Sequence, residues 1–372
     1  MKTVRHGSRA RIAAVGIAAS SAMLIAGCGA SNESAPPAGG GATGGAAVSG
    51  TIAGAGSSAQ QAAQEAWIAG FTASNPEANI SYDPSGSGAG RTQFLGGGVA
   101  FAGSDAYLKA DELEKAKTRC AGDVVEIPAY VSPIAIIYNV PGVTDLQLAP
   151  ATIAQIFDRK IAKWNDPAIA ADNPGKTLPD LAITPVNRSD KSGTTQNFAD
   201  YLKAASGGAW SYDVKDEWPV AGGEAAQGTS GVVGAVTNGQ GTIGYADESQ
   251  AKSLGHVKVK VGSEYVGPTP EAAAQVLEAS TKVDGQGQYA FAYKLARDTT
   301  ASGTYPVVLV SYLLACSKYP DAATADVVKS YLTYVVSADG QKVAAEKAGA
   351  APLSDKLRTD LTPAINAIAA GT

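Results

Sequence analysis

Residues 181–202 read LAITPVNRSDKSGTTQNFADYL. The stretch opens on an apolar, partly β-branched run and closes on QNFADYL, where Phe198, Tyr201 and Leu202 recur at helical spacing. Between them lies NRSDKSGTT (187–195), nine residues with no apolar side chain in a chain that is 45% hydrophobic. A strand, a hydroxyl-rich turn and a helix are therefore predicted in succession. In the turn, Arg188 offers a planar fork of donors suited to an oxyanion. Asp190, two residues on, can hold that fork, while Ser192, Gly193 and Thr194 open the helix with hydroxyl and backbone donors. A capped helix start beside a surface Arg/Asp pair is the plainer reading of Ser192 and Asp190.

The same unit occurs three times earlier. SGTIAGAG (49–56) precedes SSAQQAAQEAWIAGF, in which Ala62, Ala63, Ala66, Trp67, Gly70 and Phe71 fall at helical spacing and Ser57 or Ser58 can cap. NISY gives way to DPSGSGAGRTQFL, and VAFAGSD to AYLKADELEKAK. Repeated βα units predict an α/β fold with mostly parallel sheets flanked by helices. Ligands of such sheets sit beyond the carboxyl ends of the strands, beside helix N-termini. Those termini present unpaired N–H groups and about half a positive charge, so several converging would make a cage for a small anion. Ser58, with the amide of Ala59, and Ser87 are further candidates. Asp105 is either an N-cap or an acceptor for a ligand that still carries a proton, as phosphate does near neutral pH and sulfate does not.

The N-terminus says where the chain goes. Lys2, Arg5, Arg9 and Arg11 precede an apolar run from Ile12 to Ala26 that ends in LIAGC at Cys28. The run is shorter than the roughly 20 residues of a membrane span, and small residues before a cysteine suit a lipoprotein signal over residues 1–28. Residues 29–47, rich in Gly, Ala and Pro, read as a flexible tether, so an extracytoplasmic, lipid-anchored domain is expected. Residues 48–372 exceed the roughly 250–300 residues at which a single core stops growing, and two lobes are expected.

The chain has 29 basic and 34 acidic side chains, four of the basic ones in the signal. This acidic balance argues against nucleic acid, which wants a basic face. Any anion site must then work through local donors. Beyond Cys28 only Cys120 and Cys316 remain; an exported pair favours a disulfide, with two buried thiols as the alternative. His256 is the single histidine past the signal, in the alternating segment GHVKVKV. It reads as a strand residue, and no His/Cys metal cluster and no cofactor are expected. The segment WNDPAIAADNPGKTLPD (164–180) reads as surface turns, and the C-terminal region as one or two helices ending at Gly349, with a return to the core after them.

With these residues in hand, the chain resembles the periplasmic phosphate-binding proteins of bacterial phosphate ABC transporters. The likeness rests on GAGSSAQ, YDPSGSGAG, FAGSDAYL, KWNDPAIAADNPG, ITPVNRSDKSGTT, GTIGYAD and AGAAPL, in that order along almost the whole exported part. The resemblance implies a two-lobed, hinge-closing fold of the type 2 periplasmic-binding class, with lobe 1 from residues 48–128 and 304–372 and lobe 2 from 129–303. Both cysteines then fall in lobe 1. It implies phosphate contacts from Ser58, Ala59, Ser87 and Asp105 on one lobe and Arg188, Ser192, Gly193 and Thr194 on the other, with Asp190 orienting Arg188. It further implies a monomer that serves a membrane permease and is not an enzyme. Two positions depart from the family pattern: Ala59 where an aromatic residue is common, and Lys191 where glycine is usual. The alternative is a serine acyl-enzyme of the penicillin-recognising type, whose KTG and SxxK elements are mimicked by Lys191-Ser192-Gly193 and Ser249-Gln250-Ala251-Lys252, in reversed order.

Overall fold

The computed structural model describes residues 47–371; Cys28 and nearly all of the 29–47 segment lie outside the described residues. The main sheet uses β1 (Gly50–Gly56), β2 (Ala78–Asp83), β3 (Phe101–Ser104), β4 (Val124–Asn139), β5 (Thr184–Arg188), β6 (Glu224–Ala226), β7 (Thr242–Asp247) and β8 (Val308–Cys316). Their spatial order is β2-β1-β3-β8-β4-β7-β5-β6, and Gly255–His256 adds a short ninth strand against β4. The helices that matter for the site are α1 (Gln61–Ser74), α2 (Ser87–Leu95), α3 (Ala110–Cys120), α4 (Gly193–Ala205) and α5 (Gly228–Asn238).

The predicted βα units account for both ends of this sheet. β1 pairs parallel with β2 and β3, and β5 pairs parallel with β6 and β7. The middle is antiparallel, because β4 and β8 are long strands that run across rather than βα units. Both are apolar and buried along nearly their whole length, as strands covered on two faces must be. β4 carries two prolines, which cannot donate to a ladder, and each falls at an irregularity. Pro128 lies at a bulge, where the partner of β8 jumps from Tyr130 at Ser311 to Pro128 at Tyr312. Pro133 is the last residue of β4 paired with β8; from Ile134 on, β4 pairs with β7. One strand thus belongs to two halves of the sheet.

α1 packs Ala63, Trp67 and Phe71 inward, in keeping with the helical spacing of its sequence. The Trp67 indole N–H donates to the carbonyl of Gly340 at 2.8 Å, which lets the largest apolar side chain be buried without an orphan donor. Residues 164–180 differ from the turn reading: Pro167–Asp172 forms a helix capped by Asp166, and Trp164 is buried with its indole on the Gly241 carbonyl. At the C-terminus two helices, Ala322–Val336 and Ala338–Ala348, end at Gly349 in the left-handed region, and Ala351 returns to bridge Val131.

Cys120, the last residue of α3, and Cys316, the last of β8, form a disulfide with their Cα atoms 5.0 Å apart. It ties residues 196 apart in sequence. Reduction, or Cys120→Ala with Cys316→Ala, should lower unfolding stability by about 3–5 kcal/mol, the value for closing a long loop. Denaturant titration of oxidised and reduced protein checks this. No labelling of these two thiols before reduction is expected; labelling of both would contradict the bond.

Glu126, in β4, is fully buried, with one oxygen taking the Leu108 N–H at 2.8 Å and the other without a partner. Burial raises its pKa to about 8, against the lowering effect of the Leu108 N–H. The folded state then keeps a proton that the unfolded chain releases near pH 4. This group's contribution therefore favours folding least above pH 8, and folding gains as pH falls from there toward about 4. In Glu126→Gln that slope should vanish, a difference on the order of 4 kcal/mol between pH 5 and pH 9 readable from paired melting curves.

Candidate anion-binding site

The site is assembled by turns that follow β1, β3 and β5 and by the N-termini of α2, α4 and α5. After β1 the chain turns at Ser57, whose Oγ accepts the N–H groups of Ala59 at 3.2 Å and Gln60 at 3.3 Å. Ser57 therefore closes this turn, and Ser58 is left to point elsewhere. Its Oγ accepts the Thr229 N–H at 3.1 Å and lies 3.0 Å from Thr229 Oγ1, at the start of α5. Ala59 is wholly buried beneath the turn.

The second turn has Gly86 at φ +102° directly before α2. A side chain there would be strained and would also strike the Asp190 carboxylate, so only glycine serves. Ser87 begins α2, is buried, and its Oγ accepts the Asp105 N–H at 3.2 Å. Asp105 is no N-cap: the helix after it is capped at Lys109. Its carboxylate is 3% exposed and receives the hydroxyls of Ser311 at 2.6 Å on Oδ1 and Thr194 at 3.0 Å on Oδ2.

Arg188 ends β5 and is buried. Its Nε donates to Asp190 Oδ1 at 2.7 Å and its Nη2 to Oδ2, the bidentate geometry that fixes a guanidinium plane. Burial alone would raise the pKa of Asp190, but the Arg188 hydrogen bonds and charge, with the Gly228 N–H at 3.0 Å, hold it below the usual carboxylate value. Asp190 thus stays charged and orients Arg188, leaving Nη1 outside the pair. Beneath them the Tyr245 hydroxyl takes the Arg188 N–H at 3.3 Å and sits 2.7 Å from Thr195 Oγ1. Burial pushes its pKa up to about 12, so it acts as a neutral strut.

Ser192 caps α4 by accepting the Thr195 N–H at 3.1 Å. Gly193 comes next, where a Cβ would stand 2.6 Å from Ser87 Oγ and 2.7 Å from Asp105 Cβ, so the two turns touch only because it has none. Lys191 departs from the family pattern without strain, since it is not among the residues with positive φ. Its carbonyl takes the Gly88 N–H at 3.0 Å and its exposed ammonium pairs outward with Glu217 at 3.3 Å. All the residues named as site candidates are therefore linked in one cluster: Ser58 through α5 to Asp190 and Arg188, then through Gly86 and Ser87 to Asp105, Gly193 and Thr194.

Several participants were not visible in sequence. Thr229 and Gly228 sit in QGTSG (227–231), a glycine-bounded turn before a helix like the others, but its strand is only Glu224–Ala226. Arg91 is a second buried cation. It donates to Glu112 at 2.9 Å, to Ser104 Oγ at 3.1 Å and to Asp216 at 2.8 Å, and the Asp216 carbonyl takes the Ser192 N–H. It couples α2 to the loop that precedes β6. Ser311, on β8, donates to Asp105 and itself receives a hydrogen from Gln60.

Chemically, the cluster combines one fixed guanidinium, hydroxyls and helix N-termini around a carboxylate that only accepts. That composition suits a small oxyanion retaining a hydrogen. The hydroxyls in the alternative acyl-enzyme reading are used locally: Ser249 Oγ donates to Asp247 and Ser192 Oγ caps α4. His256 lies beside β4 with its Nε2 3.0 Å from the Ala251 carbonyl. Among the described residues no cluster of metal-ligating side chains occurs, and no helix is long and apolar enough to cross a membrane.

Residues 41–339 match the family model of a PBP superfamily domain. The chain is similar to the phosphate-binding protein PstS 3 of Mycobacterium tuberculosis, with 35% identity over 99% of this chain and 100% of that protein. PstS 2 of the same organism is 34% identical over the same shares. Among solved structures, it resembles a high-affinity periplasmic phosphate-binding protein bound with phosphate, PfluDING, with a TM-score of 0.68 at 20% identity over 84% of this chain and 93% of the other. A phosphate ABC transporter substrate-binding protein from Clostridium perfringens aligns with a TM-score of 0.60 at 18% identity, over 82% of this chain and 100% of the other. These two likenesses concern the fold.

Proposed function

Because the chain belongs to the PBP superfamily, with PstS phosphate-binding proteins as full-length relatives, we propose that it is the extracytoplasmic phosphate receptor of an ABC uptake system. It binds inorganic phosphate and passes it to a membrane permease. The observation that carries this reading is that one turn holds both Arg188, fixed by Asp190 at 2.7 Å, and Thr194, whose hydroxyl donates to Asp105 at 3.0 Å, so that a guanidinium and a carboxylate acceptor remote in sequence belong to one cluster. A guanidinium draws an oxyanion, and the carboxylate repels any that lacks a hydrogen.

Lobe 1 consists of residues 48–128 and 304–372, and lobe 2 of residues 129–303. The change of partner along β4 supports a division into two lobes, although it falls at Pro133 and Ile134, a few residues past this boundary; the presence of both cysteines beside β3, β4 and β8 supports it too. Ser58, Ser87 and Asp105 then approach the ligand from one lobe and Arg188, Ser192, Gly193 and Thr194 from the other, with the Ala59 amide close by. Each lobe has half of the donors, so the ligand's contacts offset the free energy of closure. Anchoring through an acylated Cys28 keeps the receptor at the membrane, and the Gly-rich segment after it supplies reach. The protein acts as a monomer without catalysis. Calorimetric titration with phosphate and with sulfate tests the reading: saturable phosphate binding at one site per chain is expected, and equal affinity for the two anions would rule out the role given to Asp105.

A further inference from the structure

Asp105 can reject a fully ionised anion only while it has no hydrogen of its own to offer. A hydrogen donated to a carboxylate oxygen fixes that oxygen as an acceptor and sets which way the carboxyl group faces. On Asp105 Oδ1 that donor is Ser311, the last member of a chain of hydrogen bonds behind it.

The chain starts at the Tyr331 hydroxyl, 2.7 Å from Gln64 Oε1; Gln64 Nε2 donates to Gln60 Oε1 at 2.8 Å; Gln60 Nε2 donates to Ser311 Oγ at 2.6 Å; and Ser311 Oγ donates to Asp105 Oδ1 at 2.6 Å. All of these side chains are buried. The direction of the chain is set by one main-chain group. Gln60 Nε2 also lies 3.2 Å from the Tyr312 carbonyl, which can only accept. That end of the amide must be the nitrogen, so its other hydrogen goes to Ser311. Ser311, already receiving a hydrogen, turns its own toward Asp105. The strand register sets up the meeting: Tyr312 pairs with Ser104 across β8 and β3, so Ser311 faces Asp105 one step beyond the ladder, next to the bulge in β4. Gly103 leaves the room that the Gln60 amide and the Tyr82 hydroxyl occupy.

We infer that Ser311, oriented by Gln60, is a selectivity-determining positioning residue: it fixes Asp105 as a hydrogen acceptor and thereby restricts the site to oxyanions that carry a hydrogen. The inference rests on the phosphate reading above and assigns its selectivity to residues that do not touch the ligand. In Ser311→Ala, Asp105 Oδ1 loses its donor, and the carboxyl group is no longer fixed as an acceptor toward the ligand.

The test is titration of the full-length protein in detergent, as wild type, Ser311→Ala, Ser311→Thr and Gln60→Met, with phosphate and with sulfate, after circular dichroism has established folding. The expected result is a phosphate-over-sulfate affinity ratio at least tenfold lower in Ser311→Ala, restored within about threefold by the hydroxyl of Ser311→Thr, and lowered in Gln60→Met, where the hydroxyl remains but its direction is no longer set. A merely structural serine would weaken both anions alike. A folded Ser311→Ala protein that keeps the wild-type ratio overturns the inference while leaving phosphate binding intact. A wild type with no preference overturns the phosphate reading and the inference with it. Should Ser311→Ala not fold, the ratio in Gln60→Met decides: a drop supports the inference and an unchanged ratio overturns it.

Discussion

Arg188→Ala should lower phosphate affinity by roughly 10²- to 10³-fold, about 3–4 kcal/mol, as expected when one partner of a buried charged contact is removed. Arg188 is the cation at the centre of the cluster, and the overall charge of the chain is acidic, so no diffuse field replaces it. The loss has a second component. Asp190 accepts from Arg188 and from the Gly228 N–H; without Arg188 it becomes a partly buried carboxylate with only main-chain donors nearby. Its repulsion of the anion is then uncompensated. Arg188→Lys should recover little, because an ammonium cannot meet Asp190 with two parallel bonds while still reaching a ligand. Titration calorimetry of the three proteins checks the order wild type, then Lys, then Ala.

Asp105→Asn should act mainly on selectivity. Like-signed groups forced together in a desolvated site cost several kcal/mol. With the charge removed, an amide hydrogen can be given to sulfate, and the phosphate-over-sulfate ratio should fall roughly 10²-fold or more. The fold should tolerate the change. The amide oxygen can still receive Ser311, and its nitrogen can donate to Thr194 once that hydroxyl turns. Sulfate binding that stays undetectable in this variant would mean that another feature excludes it. The two substitutions separate two functions: Arg188 sets how tightly an oxyanion is held, Asp105 which oxyanion it is.

Much of the site was legible because each of its first-noticed turns repeats one local pattern. A strand, a run of small hydroxyl residues and a helical face succeed each other at Ser57, Ser87, Asp105 and Ser192, and helix N-termini are local in sequence. The residues that escaped depend on pairing between remote strands. Ser311 lies in VLVSYLLAC, and a single serine among large apolar and aromatic residues was the available signal. Its meaning comes only from the register that sets it opposite Asp105. Thr229 escaped because a three-residue strand shows no periodicity. The capping of the first turn by Ser57 rather than Ser58 depended on which hydroxyl turns inward, which spacing alone does not distinguish. The parallel pattern likewise described the ends of the sheet and not its middle, where β4 and β8 run as long antiparallel strands, the prolines of β4 marking a bulge and a change of partner.

The most direct test is a crystal structure of the exported domain grown with phosphate. The account predicts one tetrahedral ion within hydrogen-bond distance of Arg188, Ser58, Ser87 and Asp105 together, enclosed by the N-termini of α2, α4 and α5. Phosphate bound elsewhere, or held by Arg188 with Asp105 turned away from it, would contradict the account.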